Sequence, residues 1–480
     1  MQTEKYDLII VGSGFASSFF LSKYLEKSAR AKKILVLERG VFYPHAARLE
    51  SKRGRPEEKF RNLPVADQTF IFANRDKKSW VFDPNFGGSS NCWVACTPRF
   101  MPNDFKLKTV YGVGYDWPIS YDDIESYYCE AEDILGVGGP EVTPFPKSKK
   151  YPLPPQHLST VDKLIQKKYG PLFISQPTAR ATVPIGVRHA CCSSSVCSLC
   201  PVDSKFTIEN TLFYLYDRPN VTIKYNCQVH NMRIENSQVK SVIYRNEGKD
   251  YEVEGDIVAL GANPIFNSHI LLAAGDRSYY TGRGLCEQRG TYARLYFEDL
   301  DNVGGSSIIT ANGFMLYDGP HRKDYAACLI ENNNNIFFRN EPGKWRKLAL
   351  MKFIFEDIPN DNNRVILSED ILKPKIEYSG HDPYVDRAMS LLEENIKRTF
   401  SFLGLEEVKM EGFFRKTEFH ICSTARMSAK PEDGVVDRNL IHHQYRNLFV
   451  LGSGAFPSIT PANPTLTLSA LSLMAADKSF

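Results

Sequence analysis

A chain of 480 residues exceeds what one ordinary hydrophobic core holds and points to more than one domain. With 42% hydrophobic and 24% charged residues it has the composition of a soluble globular enzyme, and a net charge of +3 leaves no footprint for nucleic acid, since the basic stretch Arg53 to Arg61 is broken by Glu57 and Glu58. No apolar run is long enough to span a bilayer and no leader precedes the first strand, which predicts a cytoplasmic protein whose eleven cysteines are reduced thiols or ligands; export bound to a signal-bearing partner stays open.

Residues 6 to 40 read as strand, tight turn, helix, strand. Leu8 to Val11 is short and rich in β-branched residues, as in a parallel strand buried on both faces, and it runs into Gly12-Ser13-Gly14. Gly12 permits the turn and Gly14 lets the backbone approach a pyrophosphate, whose charge suits the free N–H groups and dipole of the helix that follows. Ser17 takes the third small position of the dinucleotide fingerprint. Glu38 closes the second strand, where a carboxylate accepts hydrogen bonds from a ribose hydroxyl. The run Glu38-Arg39-Gly40, this near the amino terminus, favours FAD over NAD; a glycine turn without a ligand is the bland alternative.

Residues 41 to 80 are polar and read as a long loop. In Asn85 to Arg99 small residues crowd ahead of Trp93, so the segment can lie flat against a planar ligand. Ser120 caps a helix in which Asp122, Asp123 and Glu125 favour the positive end and Ile124, Tyr127 and Tyr128 form the packing face. Residues 140 to 158 are rich in Pro and Lys and read as a connector.

Cys191, Cys192, Cys197 and Cys200, the last followed by Pro201, place four thiols in one short loop. Thiolates this dense fit iron–sulfur or zinc ligation, and packed thiols without a metal are the alternative. Val221 to Asn226, Val239 to Tyr244 and Tyr251 to Leu260 read as strands; the last reaches Gly261-Ala262-Asn263-Pro264 and a helix up to Gly275. From about 290 to 410 strand-like runs such as Ser307 to Thr310 and Leu348 to Phe355 alternate with asparagine-rich turns, which predicts an antiparallel sheet. Asp382 to Phe402 carries helical spacing at Ala388, Leu391, Leu392 and Ile396. The last stretch sets His420, Asn447 to Gly454, and Phe456 to Leu466 ahead of a final helix.

These segments together resemble the glucose–methanol–choline (GMC) oxidoreductase family, in particular its branch with pyranose oxidase and bacterial FAD sugar dehydrogenases. The resemblance is carried by the N-terminal motif, Gly87-Gly88-Ser89-Ser90-Asn91-Cys92-Trp93, Cys200-Pro201-Val202-Asp203-Ser204-Lys205-Phe206, Leu260-Gly261-Ala262 and the tail. It implies an α/β fold with a Rossmann-like FAD-binding domain (1–110, 180–290 and 415–480) and a substrate domain on a mostly antiparallel sheet (111–179 and 291–414).

It also implies the catalytic pair. His420 takes the place of the histidine in a His-x-x-Gly-Thr segment, with Ser423 where the glycine stands and so expected to narrow the space near the flavin, and Asn463 takes the second position. A neutral imidazole can accept the hydroxyl proton while hydride leaves an alcohol carbon, and a carboxamide can hold the same oxygen. The FAD contacts expected are Gly12, Gly14, Ser17, Glu38, Gly88, Ser89, Asn91, Cys92, Val229, Ala262, Gly454, Pro464 and Thr465. Relatives that hold the flavin covalently have histidine where Cys92 stands, so non-covalent FAD is expected. The cysteine loop resembles one that holds a three-iron cluster in sugar dehydrogenases, with its last interval one residue shorter.

The expectation is an FAD-dependent oxidoreductase, a dehydrogenase rather than an oxidase, that oxidises a CH–OH group of a sugar, polyol or glycoside with His420 as base. Oxidation of one hydroxyl of an aminoglycoside, and a flavin and iron–sulfur electron-transfer subunit working with a partner, are the rivals; retention of both His420 and Asn463 speaks against a pure relay.

Overall fold

The computed structural model describes residues 4–28, 32–73, 78–306, 308–335, 337–411 and 417–480. Its first sheet grows from the apolar strands Lys5–Val11 and Ile34–Leu37, which pair in parallel and bury Leu8, Ile9 and Ile10 completely. Lys249–Leu260 pairs in parallel with Lys5–Val11 through its second half and antiparallel with Gln238–Asn246 through its first. Gln228–Glu235 continues the antiparallel edge; Val221–Lys224 and Leu448–Val450 add parallel strands, giving seven among the described residues. The helices Phe15–Lys27 and Thr465–Ser479 pack together over it, with Phe480 edge-on to Phe20 and Tyr24. Ser469 and Ser472 sit in that buried helix because each hydroxyl donates to the carbonyl one turn back, Thr465 O at 2.8 Å and Leu468 O at 2.7 Å.

The second sheet is antiparallel throughout, ordered Leu405–Met410, Arg289–Phe297, Leu348–Phe355, Cys328–Asn333, Ile309–Leu316 and Phe173–Ser175. Every residue of Leu348–Phe355 is buried, its apolar run interrupted only by Lys352, which pairs with Glu418. Of the strand-like run Ser307 to Thr310, Ser307 lies outside the described residues and the strand starts at Ile309. Ser120 caps Tyr121–Leu135 as expected, accepting from Asp123 N at 3.3 Å.

Two local expectations are corrected. The polar stretch 41 to 80 is not all loop: it contains the helix His45–Lys52, with one buried face residue, Ala47, and the short strand Ile71–Phe72, which pairs with Lys375–Glu377. The helix expected over Asp382 to Phe402 is two helices, Pro383–Ser390 and Leu392–Phe400, broken at Leu391; periodicity continued across the break because both bury the same kind of face.

Candidate active site

A cavity of about 650 Å³ opens where the parallel strands end. Val11 and Gly12, Leu37 and Glu38, Gly261, and Leu451 line it from successive strand ends, the place where open α/β sheets receive ligands. Tyr292, Ile309, Glu331, Asn333 and Lys352, all from the antiparallel sheet, close the opposite side.

The nucleotide end is built on backbone. Gly12 has φ +87°, and a Cβ there would stand 2.8 Å from Gly261 O, so side chains are excluded by both conformation and space. Gly88, also at positive φ, brings its Cα within contact of Gly14; a Cβ on it would lie 3.3 Å from Gly14 Cα. Helices Phe15–Lys27 and Thr465–Ser479 start at this cavity with no side-chain cap, which leaves first-turn N–H groups for an anionic ligand. Glu38 is 4% exposed, and its Oε1 accepts from Gly40 N at 2.9 Å. Burial raises its pKa, opposed by the bonds from Gly40 and Ser13.

At the other end stands His420, on the loop that follows residue 417. Its backbone N–H donates to Glu287 Oε1 at 2.8 Å, and the same oxygen receives Glu418 N and Thr417 Oγ1, each at 2.8 Å. Lys78 pairs with the other oxygen of Glu287. The clamp is needed because Phe419, Ser423 and Thr424 all hold positive φ, at 66°, 63° and 86°, at a cost of order 1–3 kcal/mol each. Burial and then the Lys352 charge lower the pKa of His420 to about 3, so its imidazole is neutral at physiological pH. Asn463 lines the same cavity, 6% exposed, and its Oδ1 has no hydrogen-bond partner among the described residues.

Thus Gly12, Gly14, Glu38, Gly88, Ser89, Cys92, Val229, Ala262, His420, Asn463, Pro464 and Thr465 share one cavity. Ser17, Asn91 and Gly454 stand behind its wall. Ser17 is fully buried against Gly261, and Asn91 holds its turn by donating to Phe86 O at 2.8 Å and Asp83 Oδ2 at 3.1 Å. Gly454 accepts Ala425 N at 2.9 Å through its carbonyl. Ser423, expected to crowd the flavin, does not line the cavity: its Oγ donates to Phe456 O at 2.9 Å, and its φ is the left-handed one a glycine would take.

Among the described residues no three His, Cys, Asp or Glu side chains are arranged to hold a metal ion. Cys197 and Cys200 are buried and Cys192 is exposed; Cys200 Sγ accepts Ser204 N at 3.3 Å. The loop reaches the cavity through Ser195, Cys197 and Ser198.

Three residues with no role in the sequence reading also shape the site. Ser13 joins Glu38 to Gly87. Lys205, 1% exposed, donates to Asn91 O, Trp93 O and Ser198 O at 2.9, 3.1 and 2.8 Å and so binds the glycine-rich turn to the cysteine loop. Gln288 contacts the His420 ring. Ser13 was within reach, standing between two motif glycines; nothing local marks the other two.

Residues 381–472 match the family model described as GMC oxidoreductase. The chain thus carries a GMC oxidoreductase C-terminal region. It is therefore an oxidoreductase acting on CH–OH donors, in a family that binds FAD. It is 26% identical to the fructose dehydrogenase large subunit of Gluconobacter japonicus, over 99% of this chain and 98% of that one. Identity to the 2-methyl-1,2-propanediol dehydrogenase of Mycolicibacterium austroafricanum is 23%, over 99% and 95%. The fold is shared with pyridoxine 4-oxidase from Mesorbium loti, at TM-score 0.67 and 18% identity over 98% and 99% of the two chains. A formate oxidase from Aspergillus oryzae, in a variant made to study FAD modification, aligns at TM-score 0.64 and 14% identity over 99% and 98%. No helix among the described residues is long and apolar enough to cross a membrane.

Proposed function

We propose that this GMC oxidoreductase binds FAD without a covalent bond and oxidises a CH–OH group of a sugar, polyol or glycoside, with His420 as the base and Asn463 as the residue that holds the reacting oxygen. The observation that carries the reading is that His420, with a neutral imidazole, and Asn463 line the same cavity as the glycine turn, Glu38 and two uncapped helix starts. FAD, held by Gly12, Gly14, Glu38, Gly88 and Thr465, supplies the hydride acceptor. The protein's share is proton chemistry and placement: His420 takes the hydroxyl proton as the carbon gives up hydride, and Asn463 orients the C–O bond. The reading assigns 1–110, 180–290 and 415–480 to the FAD domain and 111–179 with 291–414 to the substrate domain, so that the antiparallel sheet selects the substrate. His420→Ala should keep its bound FAD yet lose anaerobic bleaching by substrate; bleaching at the wild-type rate would exclude the role.

Both relatives found by sequence are dehydrogenases by name, which favours a dye or protein acceptor over oxygen. One of them is a large subunit, which favours a partner subunit here as well. Dye reduction should therefore exceed oxygen uptake, and the reverse ratio would make the protein an oxidase. The cysteine thiols are assigned to packing, and stoichiometric iron with acid-labile sulfide after anaerobic purification would overturn that assignment.

A further inference from the structure

We propose that Gln288 is a positioning residue that fixes which nitrogen of His420 is basic and ties that ring to the loop of Asn463; the proposal rests on the reading of His420 as base. Gln288 is 1% exposed and immediately precedes the strand Arg289–Phe297 of the antiparallel sheet. Its Nε2 donates to two backbone carbonyls, Thr460 O at 2.5 Å and Ala462 O at 2.9 Å. Its Oε1 faces His420 Nδ1 at 2.5 Å.

The orientation of this amide follows from its partners. Carbonyl oxygens only accept, so the NH2 group must be the end that meets Thr460 and Ala462. The amide oxygen is then left for His420, and because it too can only accept, Nδ1 must carry the ring proton. A neutral imidazole has one N–H, so its lone pair lies on Nε2, the nitrogen turned away from Gln288. The two ends of one side chain thereby set the tautomer of His420 and pin the residues just before Asn463. Glu287, next in the chain, holds the His420 backbone, so consecutive residues fix the loop and the ring separately.

The charged groups around the ring are Lys352 from the strand Leu348–Phe355, paired with Glu418; Glu331, 3.8 Å from Lys352; and Glu287, paired with Lys78. Lys352 opposes protonation of the ring, and Gln288 brings no charge. A carboxylate in its place would accept the same Nδ1–H but favour the imidazolium, moving its pKa upward.

The test uses the FAD-loaded protein and its Gln288→Leu and Gln288→Glu variants, with anaerobic flavin reduction followed against pH, and ¹⁵N spectra of histidine-labelled wild type in which the His420 signal is assigned by its loss in His420→Gln. Expected are a protonated Nδ1 and an unprotonated Nε2 on His420, and a reduction rate about 100-fold lower in Gln288→Leu with KM little changed, within the range for a general base. Gln288→Glu should show its acid limb displaced toward neutral pH, with rate recovered as pH rises. A residue that merely packs would lower the plateau in both variants and leave the limb where it is, which would overturn the proposal. An Nε2–H tautomer in the wild-type spectrum would overturn it even if neither variant folds. If His420→Ala still bleaches while Nδ1 carries the proton, the base assignment fails and the clamp stands.

Discussion

The Ser13 hydroxyl donates to Glu38 Oε2 at 2.5 Å, the Ser13 N–H reaches the same oxygen at 3.1 Å, and the hydroxyl in turn accepts Gly87 N at 3.0 Å. One small side chain therefore locks the Gly12–Gly14 turn, the Glu38 carboxylate and the Gly87–Gly88 turn into a single cradle. Ser13→Ala leaves the Gly87 N–H without its acceptor and removes one of the two bonds to Glu38 Oε2, a loss of about 1–3 kcal/mol. Its FAD dissociation constant, measured by fluorescence titration of the deflavinated protein, should rise about 10-fold or more at that energy.

Ser17, four residues on, predicts the opposite. Its Oγ is buried and has no hydrogen-bond partner among the described residues, packed where a glycine is usual in the fingerprint. Removing an unsatisfied hydroxyl relieves its desolvation penalty. Ser17→Ala should keep FAD affinity and leave the thermal midpoint unchanged or raised; a drop of several degrees would show that the hydroxyl has a partner.

The depressed pKa of His420 sets a pH profile. A histidine whose folded pKa lies near 3 stays neutral and competent as a base above that value, so flavin reduction should be flat from about pH 5 to 8 as far as this group decides it. The linkage has the matching sign: the unfolded chain binds this proton from about pH 6.5 downward and the folded chain does not, so His420 lowers stability progressively as pH falls from 6.5 toward 3. His420→Gln should therefore lose less stability than the wild type between pH 7 and 5 in urea titrations.

Cys92 opens onto the cavity, yet the surrounding walls desolvate it and Asp83 adds negative potential, pushing its thiol up to about 11. Thiolate is then scarce at neutral pH, and the nucleophile a flavin bond would need is missing. Flavin should stay in the supernatant after acid precipitation, and Cys92→Ser should bind FAD as the wild type does. Yellow colour in the pellet would refute this.

Lys205 spends all three ammonium hydrogens on backbone carbonyls, two in the glycine-rich segment and one in the cysteine loop. Lys205→Met keeps the stem and leaves one buried and two half-buried acceptors without their donor, a destabilisation of about 2–3 kcal/mol. The midpoint of urea unfolding should fall accordingly, with FAD lost ahead of the global transition because the turn loosens first.

The sequence by itself determined the features that are local in physical origin. Short apolar runs ending in glycine dictate buried parallel strands and a side-chain-free turn, and they locate Gly12, Gly14 and Glu38 because φ, burial and strand length are properties of a few neighbouring residues. Ser120 announces its helix for the same reason. Motif resemblance then singled out His420 and Asn463, but said nothing of how their loops are held.

Those constraints were decided by the tertiary structure. Gln288 meets His420, Thr460 and Ala462, and Ser13 meets Glu38 and Gly87, across chain separations that no periodicity encodes. The four cysteines are a further case: Cys192 is exposed while Cys197 and Cys200 are buried, a difference that their spacing does not announce. Hydrogen bonds act over about 3 Å, so a site that draws its partners from two sheets and four loops takes shape only when the whole chain has closed around it.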